Sequence, residues 1–319
     1  MRRLARDRAA IAALVLFIVI VGMCLLAPVY AQWSGMNPFK STLDATITLN
    51  GQTVNVMEQS TEGLGLGYNP IGPTWQLGNY FLGADNQGRD VMSRLLYGGI
   101  NSFLISGAAT VFTLLFGTVL GVVAGFFGGW IDMVLSRILD ILWAFPVYLL
   151  AISLSIVLIA HGIQIGPITI ESGSLWLPIF IIGIVFIPYV ARPIRGQVLS
   201  LRESEFVLAA VGLGVPSYRI MLRDILPNVS TTLIVFVPLM MALNMLTESA
   251  LSFLSIGVQA PDASWGTIIQ DGQGLLYSRP MVALAPGLAI VITVLALNVL
   301  GDGLRDALDP RSKIKLGRD

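Results

Sequence analysis

A chain of 319 residues that is 55% hydrophobic and only 12% charged, with a mean hydropathy of +0.78, is neither a disordered polymer nor an ordinary water-soluble enzyme. Nineteen basic residues balance nineteen acidic ones, so there is no global positive field to hold nucleic acid. A single cysteine, Cys24, excludes an internal disulfide and a cysteine-based zinc site, and a single histidine, His161, argues against a histidine metal centre or a His-dependent triad.

Residues 1–8 carry Arg2, Arg3, Arg6 and Arg8, and an apolar run follows at 11–31. Arginines, an apolar stretch and Val29-Tyr30-Ala31 imitate a signal peptide. The run is longer than the usual h-region of about 7–15 residues, so it is expected to be an uncleaved first membrane span. Met23 stands before Cys24 where lipid attachment needs a small residue, so Cys24 is expected to be a packing thiol.

A segment outside the membrane, 32–101, comes next. Alternating residues at 45–49 and 52–56 flank Asn50-Gly51, which is a strong β-hairpin signal. A glycine-rich run at 63–67 and a loop around Pro70 and Pro73 follow. The segment reads equally as a cap that meets an extracytoplasmic partner or as a decorative loop.

A bilayer core of about 30 Å needs about 20 apolar residues in helical form. Five further charge-free runs meet this need, within 95–130 and at 141–160, 175–191, 229–247 and 281–301. The expected fold class is therefore an all-α polytopic membrane protein with six transmembrane helices and a small extracytoplasmic β-hairpin. In the second span, Gly117, Gly121 and Gly125 recur at four-residue intervals and place small residues on one face, which suits close packing within the subunit. Pro146, Pro178, Pro188 and Pro193 lie in or beside the third and fourth spans, where neighbouring helices can satisfy the freed carbonyls.

The inside loop at 192–228 is too long for a plain turn. Glu203 and Glu205 open a short helix, as the helix dipole favours, and Gly212 and Gly214 stop it. A second short helix is expected at 218–226, ended by Pro227. Phe206, Val207, Leu208, Ile220 and Leu222 give this knob an apolar character that suits a partner groove. With six spans, fifteen of the nineteen basic residues fall on one side, and Lys40, Arg89, Arg94 and Arg279 on the other. Both termini are therefore expected in the cytoplasm. The chain divides into the N-terminus and first span (1–31), the extracytoplasmic segment (32–101), a core of five spans (102–304) and a cytoplasmic tail (305–319).

At this loop the sequence resembles the permease subunits of ABC importers, whose cytoplasmic signature is E-A-A-x3-G-x9-I-x-L-P. Ala209, Ala210, Gly214, Leu226 and Pro227 fall in register. Leu208 stands at the signature glutamate and Asp224 at the signature isoleucine, with Glu205 three residues before Leu208 and Ile225 beside Asp224. Further stretches resemble the C-subunit type of the dipeptide/oligopeptide/nickel permeases: LGADNQGRDVMSRLLYG at 82–98, LSFLSIG at 251–257, SWG at 264–266 and LGDGLRDALDPR at 300–311. The resemblance covers 82–311 and the first span, and leaves 34–80 looking like an insertion.

The resemblance implies a type I ABC importer permease fold in a bacterial or archaeal plasma membrane, with di- or oligopeptides as cargo. It implies a homologous second permease subunit, two ATPase subunits that bind ATP and Mg, and an extracytoplasmic substrate-binding protein. Glu205, Ala209, Ala210, Gly214, Leu226 and Pro227 would then form the ATPase-coupling site. No cofactor is expected in this chain: Lys40, Lys313 and Lys315 are its only lysines and none follows a glycine, so G-x-x-x-x-G-K-[ST] is absent.

Charges near the spans need reasons, since a carboxylate at a helix centre costs about 2.5–3.5 kcal/mol on insertion scales. Glu248 either lines the translocation pathway or bonds to a neighbouring helix. Asp302 is expected to cap or pair near Arg305. Asp132, Arg137 and Asp140 are expected to be interfacial anchors. Asp85, Arg89 and Asp90 would dock the binding protein or brace the helix before the second span. His161 reads as an incidental loop residue. The competing functions are an ATP-independent secondary transporter or channel, which predicts a charged relay inside the spans, and a membrane enzyme, which predicts clustered His, Asp or Glu. The sequence displays neither pattern.

Overall fold

The computed structural model describes residues 7–49, 51–59, 67–165, 168–171 and 173–308. The basic residues Arg2, Arg3, Arg6, Arg311, Lys313, Lys315 and Arg318, the turn residue Asn50 and the glycines Gly63 and Gly65 lie outside the described residues.

Helix α1 (Arg8–Leu25) starts at Asp7, whose carboxylate accepts from the backbone of Ala9 and Ala10. Helix α2 (Ala27–Ser34) continues it past a junction at Leu26 and ends at Gly35, which has φ +69°. Cys24 is buried beside Gly99 and is a packing thiol, as expected.

The hairpin of β1 (Thr46–Leu49) and β2 (Gln52–Asn55) closes in the register read from the sequence, with Leu49 opposite Gln52 and Gly51 at φ +82°. A second antiparallel pair, β3 (Met57–Gln59) and β4 (Tyr68–Pro70), was not expected from the glycine-rich run that joins them. Ile47, Val56, Met57, Tyr80 and Ala84 give this outer segment a small core of its own.

Helix α3 (Val91–Phe127) has 37 residues, about 55 Å at the usual rise, and so stands well beyond a core of about 30 Å. Helices α4 (Gly129–Ala144) and α5 (Val147–His161) meet at 90°. The third span expected at 141–160 is thus broken at Pro146, one of the prolines read as lying in or beside it. Pro146 pushes Phe145 out of the helical region, to ψ 138°, and the helix breaks there. His161 ends α5 rather than lying in a loop, and its Nδ1 pairs with the Val157 carbonyl. A short pair, β5 (Ile163–Ile165) and β6 (Ile168–Ile170), leads to α6 (Trp176–Arg202), which runs on through Pro188 and Pro193.

Helix α7 (Glu205–Gly212) follows, then α8 (Ser217–Ile220), a π-helical turn (Met221–Ile225) and α9 (Leu226–Phe253). The expected second short helix does not end at Pro227. The Leu226 amide reaches five residues back to Met221, and this wider turn lets the chain continue through the proline. Helix α10 (Trp265–Gly272) and α11 (Met281–Leu308) complete the chain. Among the described residues, five stretches can each cross a bilayer: α1, α3, α6, α8 to α9, and α11. The bent α4–α5 pair meets the same requirement when its two halves are taken together as one broken span, which brings the number to six.

The packing turns on α3 against α6. A Cβ on Gly117 would meet Val190 at 2.8 Å, one on Gly121 would meet the Ala191 carbonyl at 2.6 Å, and one on Gly125 would meet Val198 at 2.8 Å. The small-residue face therefore serves this subunit's own interior. Gly121→Val is expected to destabilise the detergent-solubilised complex by about 1–3 kcal/mol, because the obstructing atom is backbone and cannot swing aside. Gly107→Ala, on the same helix with open space around it, should leave thermal unfolding unchanged.

Candidate functional site

The knob between α6 and α9 is built by two helix ends. Ser204 precedes α7, and Glu205 sits in its first turn, where a carboxylate favours the helix dipole. Gly214 holds φ +74°, a left-handed conformation that turns the chain towards Pro216 and α8. Val207 and Ile220 point inward and pack with Val122, Ile194, Val198 and Val229, so the knob is seated on α3, α6 and α9. Its other face is open: Phe206, Leu208, Val211 and Leu213 are exposed, the last at 84%. Glu205, Ala209, Gly214 and Pro227 are exposed too, while Ala210 and Leu226 are half-buried. Tyr218 and Leu222 extend the apolar surface along α8.

Two ion pairs tie α4 to α6 beside the knob. Arg195 donates to Asp132 through Nε at 2.5 Å and Nη2 at 2.6 Å. Arg192 donates to Asp140 at 2.6 Å and lies 4.6 Å from the centre of the Trp143 ring. Asp132 and Asp140 are therefore more than interfacial anchors, and their partners, 63 and 52 residues away, carried no local sequence signal. Arg137 is exposed. At the far end of α6, Arg202 donates to the Phe126 carbonyl and closes the last turn of α3.

At the start of α3, at its opposite end from the knob, Asp85, Arg89 and Asp90 are all buried. Asp90 is the N-cap of α3, accepting from the Ser93 amide and hydroxyl at 2.7 Å each. Burial pushes the Asp90 carboxyl above its ordinary range, against the pull of those bonds. Asp85 pairs with Arg89 at 2.7 Å and Arg94 at 3.3 Å, and both arginines reach Asp271 of α10, at 2.9 and 2.7 Å. Burial also raises the Asp271 carboxyl, while Arg94 and Arg89 draw it down. Of the two roles open to Asp85, Arg89 and Asp90, these contacts perform the bracing one. Arg89, Arg94 and Asp271 also line a small cleft with Gln87, Gln259 and Asp262. Asp271 and Arg94 complete the cluster, and sequence reading missed both because α10 lies 177 residues from Arg94.

Glu248 is fully buried on α9. Its carboxylate accepts from Ser252 at 2.7 Å and from Ser102 of α3 at 2.9 Å. Ser102 in turn accepts the Trp265 amide at 3.1 Å, and the Trp265 indole donates to the Leu95 carbonyl at 2.9 Å. Of the two roles open to Glu248, these contacts perform the helix-joining one. Its oxygens are enclosed by this chain and bind its own hydroxyls. Asp302 is exposed and, among the described residues, forms no ion pair with Arg305. No group of three or more His, Cys, Asp or Glu that could hold a metal occurs among the described residues.

Comparisons with known proteins agree on one family. Residues 117–314 match the family described as binding-protein-dependent transport system inner membrane component, and residues 1–44 match the N-terminal TM domain of oligopeptide transport permease C. The chain is 42% identical to the dipeptide transport system permease protein DppC of Alkalihalophilus pseudofirmus over 234 residues, 73% of each chain. It is 33% identical to the oligopeptide transport system permease protein OppC of Haemophilus influenzae over 312 residues, 98% of this chain and 88% of that one. In fold, the chain resembles an inward-facing structure of the MetNI methionine ABC transporter, with a TM-score of 0.54 and 17% identity over 68% of this chain and 97% of that one.

Glu248→Ala is expected to leave the Ser102 and Ser252 hydroxyls without their acceptor and to cost about 1–3 kcal/mol of stability. Thermal unfolding of the purified complex measures it. A variant that is fully stable but transports poorly would return Glu248 to the pathway.

Proposed function

The chain belongs to the binding-protein-dependent transport system inner membrane components, and on that premise we propose that it forms half of a peptide pathway worked by ATPase subunits through its inner knob. As a member, it is a multi-pass permease subunit of an ABC importer. The proposed cargo is di- or oligopeptides, on the strength of relatives named for dipeptide and oligopeptide transport. The proposed assembly contains a homologous second permease, two ATPase subunits holding ATP and Mg, and an extracytoplasmic binding protein. Both termini would face the cytoplasm, as the distribution of arginines supports.

One observation carries this reading. An apolar face of α7, with Phe206, Leu208, Val211 and Leu213, is exposed on a knob whose opposite side is pinned to the ends of three long helices. A groove on an ATPase subunit would receive that face. Leu208 replaces the signature glutamate, so the contact at this position is apolar rather than ionic. A push on α7 is transmitted at once, because only Glu203 and Ser204 separate it from α6, and α8 runs without a break into α9. Hydrolysis in the partners would then shift the permease between inward- and outward-open states. The chain's own part is mechanical: it lacks the glycine-rich loop and lysine that cradle phosphates.

Gly214→Pro is expected to uncouple the transporter, since proline holds φ near −65° and Gly214 needs +74°. Membrane insertion should persist while substrate-stimulated ATPase activity falls at least about tenfold, equivalent to about 1.4 kcal/mol of lost coupling. Gly214→Asn, which tolerates the left-handed region, should retain most of the coupling. Normal coupling in a folded Gly214→Pro complex would overturn the assignment of the knob.

The decisive experiment reconstitutes the complete transporter in liposomes. Uptake is expected with ATP at the ATPase face and a collapsed ion gradient. Uptake driven by an ion gradient alone, without ATP, would restore the secondary-transporter alternative.

A further inference from the structure

The segment between α2 and α3 holds a surface that the coupling role does not use. Although it lies outside the spans, no charged residue occurs between Glu62 and Asp85. Its tip is a tight loop closed on itself. The amides of Thr74 and Trp75 donate to the carbonyls of Tyr80 and Phe81 at 3.2 and 3.3 Å, and the Thr74 hydroxyl donates to the Asn79 carbonyl at 2.6 Å. With its backbone bonds satisfied inward, the loop turns Trp75 and Leu77 out, exposed at 62% and 64%. Trp75 holds φ +57°, a conformation uncommon for an aromatic residue, and its ring packs edge-on against Phe81 at 5.5 Å.

The loop rests against the first membrane helix. A Cβ on Gly78 would stand 3.0 Å from the Trp33 ring, and the Gly78 amide donates to the Tyr30 hydroxyl at 3.4 Å. Tyr30 and Trp33 belong to α2, and towards the membrane the surface runs on through exposed Val29, Leu26 and Met23. An apolar groove of about 300 Å³ follows this line between α2 and the first turns of α3. Depth agrees with that continuity. Counted from Ala9, a core of about 30 Å is crossed near Val29, so Trp33 stands about 6 Å further on, in the headgroup layer. Tryptophan and tyrosine concentrate in that layer, because their rings suit a zone apolar on one side and wet on the other.

We infer that loop 74–81 and Trp33 form an interfacial anchor, which seats the outer segment on the lipid leaflet at its own side of the membrane. The partner is the headgroup and upper acyl zone of the bilayer, entered by Trp75, Leu77 and Trp33. The anchor fixes the height of both β-hairpins above the start of α3. It rests on the multi-pass membrane reading alone, not on the coupling role and not on which side the segment faces.

The test uses the complete transporter in liposomes, with Cys24→Ala and a bimane label on Leu77→Cys or, for comparison, on exposed Thr53→Cys of β2. Nitroxide-headgroup lipid should quench the Leu77 label strongly and the Thr53 label weakly, and aqueous iodide should give the reverse order, each by several-fold. Iodide quenching at Leu77 without lipid quenching would overturn the anchor. Protection from both quenchers would assign the loop to the second permease. Protection that appears only on adding the binding protein would assign it to that partner, and either result overturns the proposal. An impermeant thiol reagent applied to intact cells reads the topology separately: labelling of Thr53→Cys only after lysis would reverse the orientation and leave lipid quenching at Leu77 as the measure of the anchor.

Discussion

Helices in a bilayer gain little by hiding apolar side chains from one another, because acyl chains are as apolar as leucine. Close approach of backbones holds this chain together instead, and its longest run lies along one seam. Gly117, Gly121 and Gly125 let α3 lie directly on the Val190, Ala191, Ile194 and Val198 face of α6. Each glycine admits an atom that any Cβ would displace, so the seam depends on three positions having no side chain. Phe112 performs a related role one turn earlier, its ring filling the space left by Gly183. Helices α1 and α9 pack on α3, and α4 and α5 on α6, while α11 packs on α9 and α1.

Polar contacts then divide the molecule by height. Near the start of α3, Arg89 and Arg94 join Asp85 to Asp271, and Glu248 joins Ser102 to Ser252. Both clusters converge on the capped helix α10, whose Trp265 bonds to α3 through its amide and its indole. Low dielectric makes such groups costly when alone and strong when paired, so these clusters lock the outer ends of α3, α9 and α10 into one arrangement. The inner end is held by ion pairs nearer solvent, Asp132–Arg195 and Asp140–Arg192. Those pairs join only α4 and α6 and leave the open face of α7 free.

What the sequence disclosed follows from the range of each interaction. Charge-free runs located the spans because burial in lipid is a property of composition. Asn50-Gly51 placed the first hairpin because a two-residue turn is local chemistry, and the four-residue glycine spacing marked the packing face of α3 for the same reason. Failures occurred where neighbours decide. Pro146 breaks its helix at right angles while Pro188, Pro193 and Pro227 are carried through, and the proline itself does not distinguish these cases. Asp85, Arg89 and Glu248 looked like candidates for docking and transport because charge near a membrane invites function. Their partners Asp271, Arg94 and Ser102 lie in other elements, and only the fold brings them together. The knob residues were legible through a motif, yet their division into an inward face at Val207 and Ile220 and an outward face at Phe206 and Leu213 required the seat on α3, α6 and α9.

The bracing has a mechanical consequence for the proposed assembly. A force applied at α7 enters α6 across Glu203 and Ser204, and α9 through the π-helical turn. Helix α6 cannot slide on α3 without driving Val190 or Val198 into glycine backbone, and it cannot leave α4 without parting Arg195 from Asp132. The outer charge cluster prevents α3 from separating from α10. Internal shear is therefore resisted at both ends of the chain, and the motion of least resistance is rotation of the whole subunit. In a pathway made of two such subunits, the surface that opens and closes would lie between them. In the proposed assembly, rigid-body movement would be favoured by the same glycine seam that allows the helices to pack.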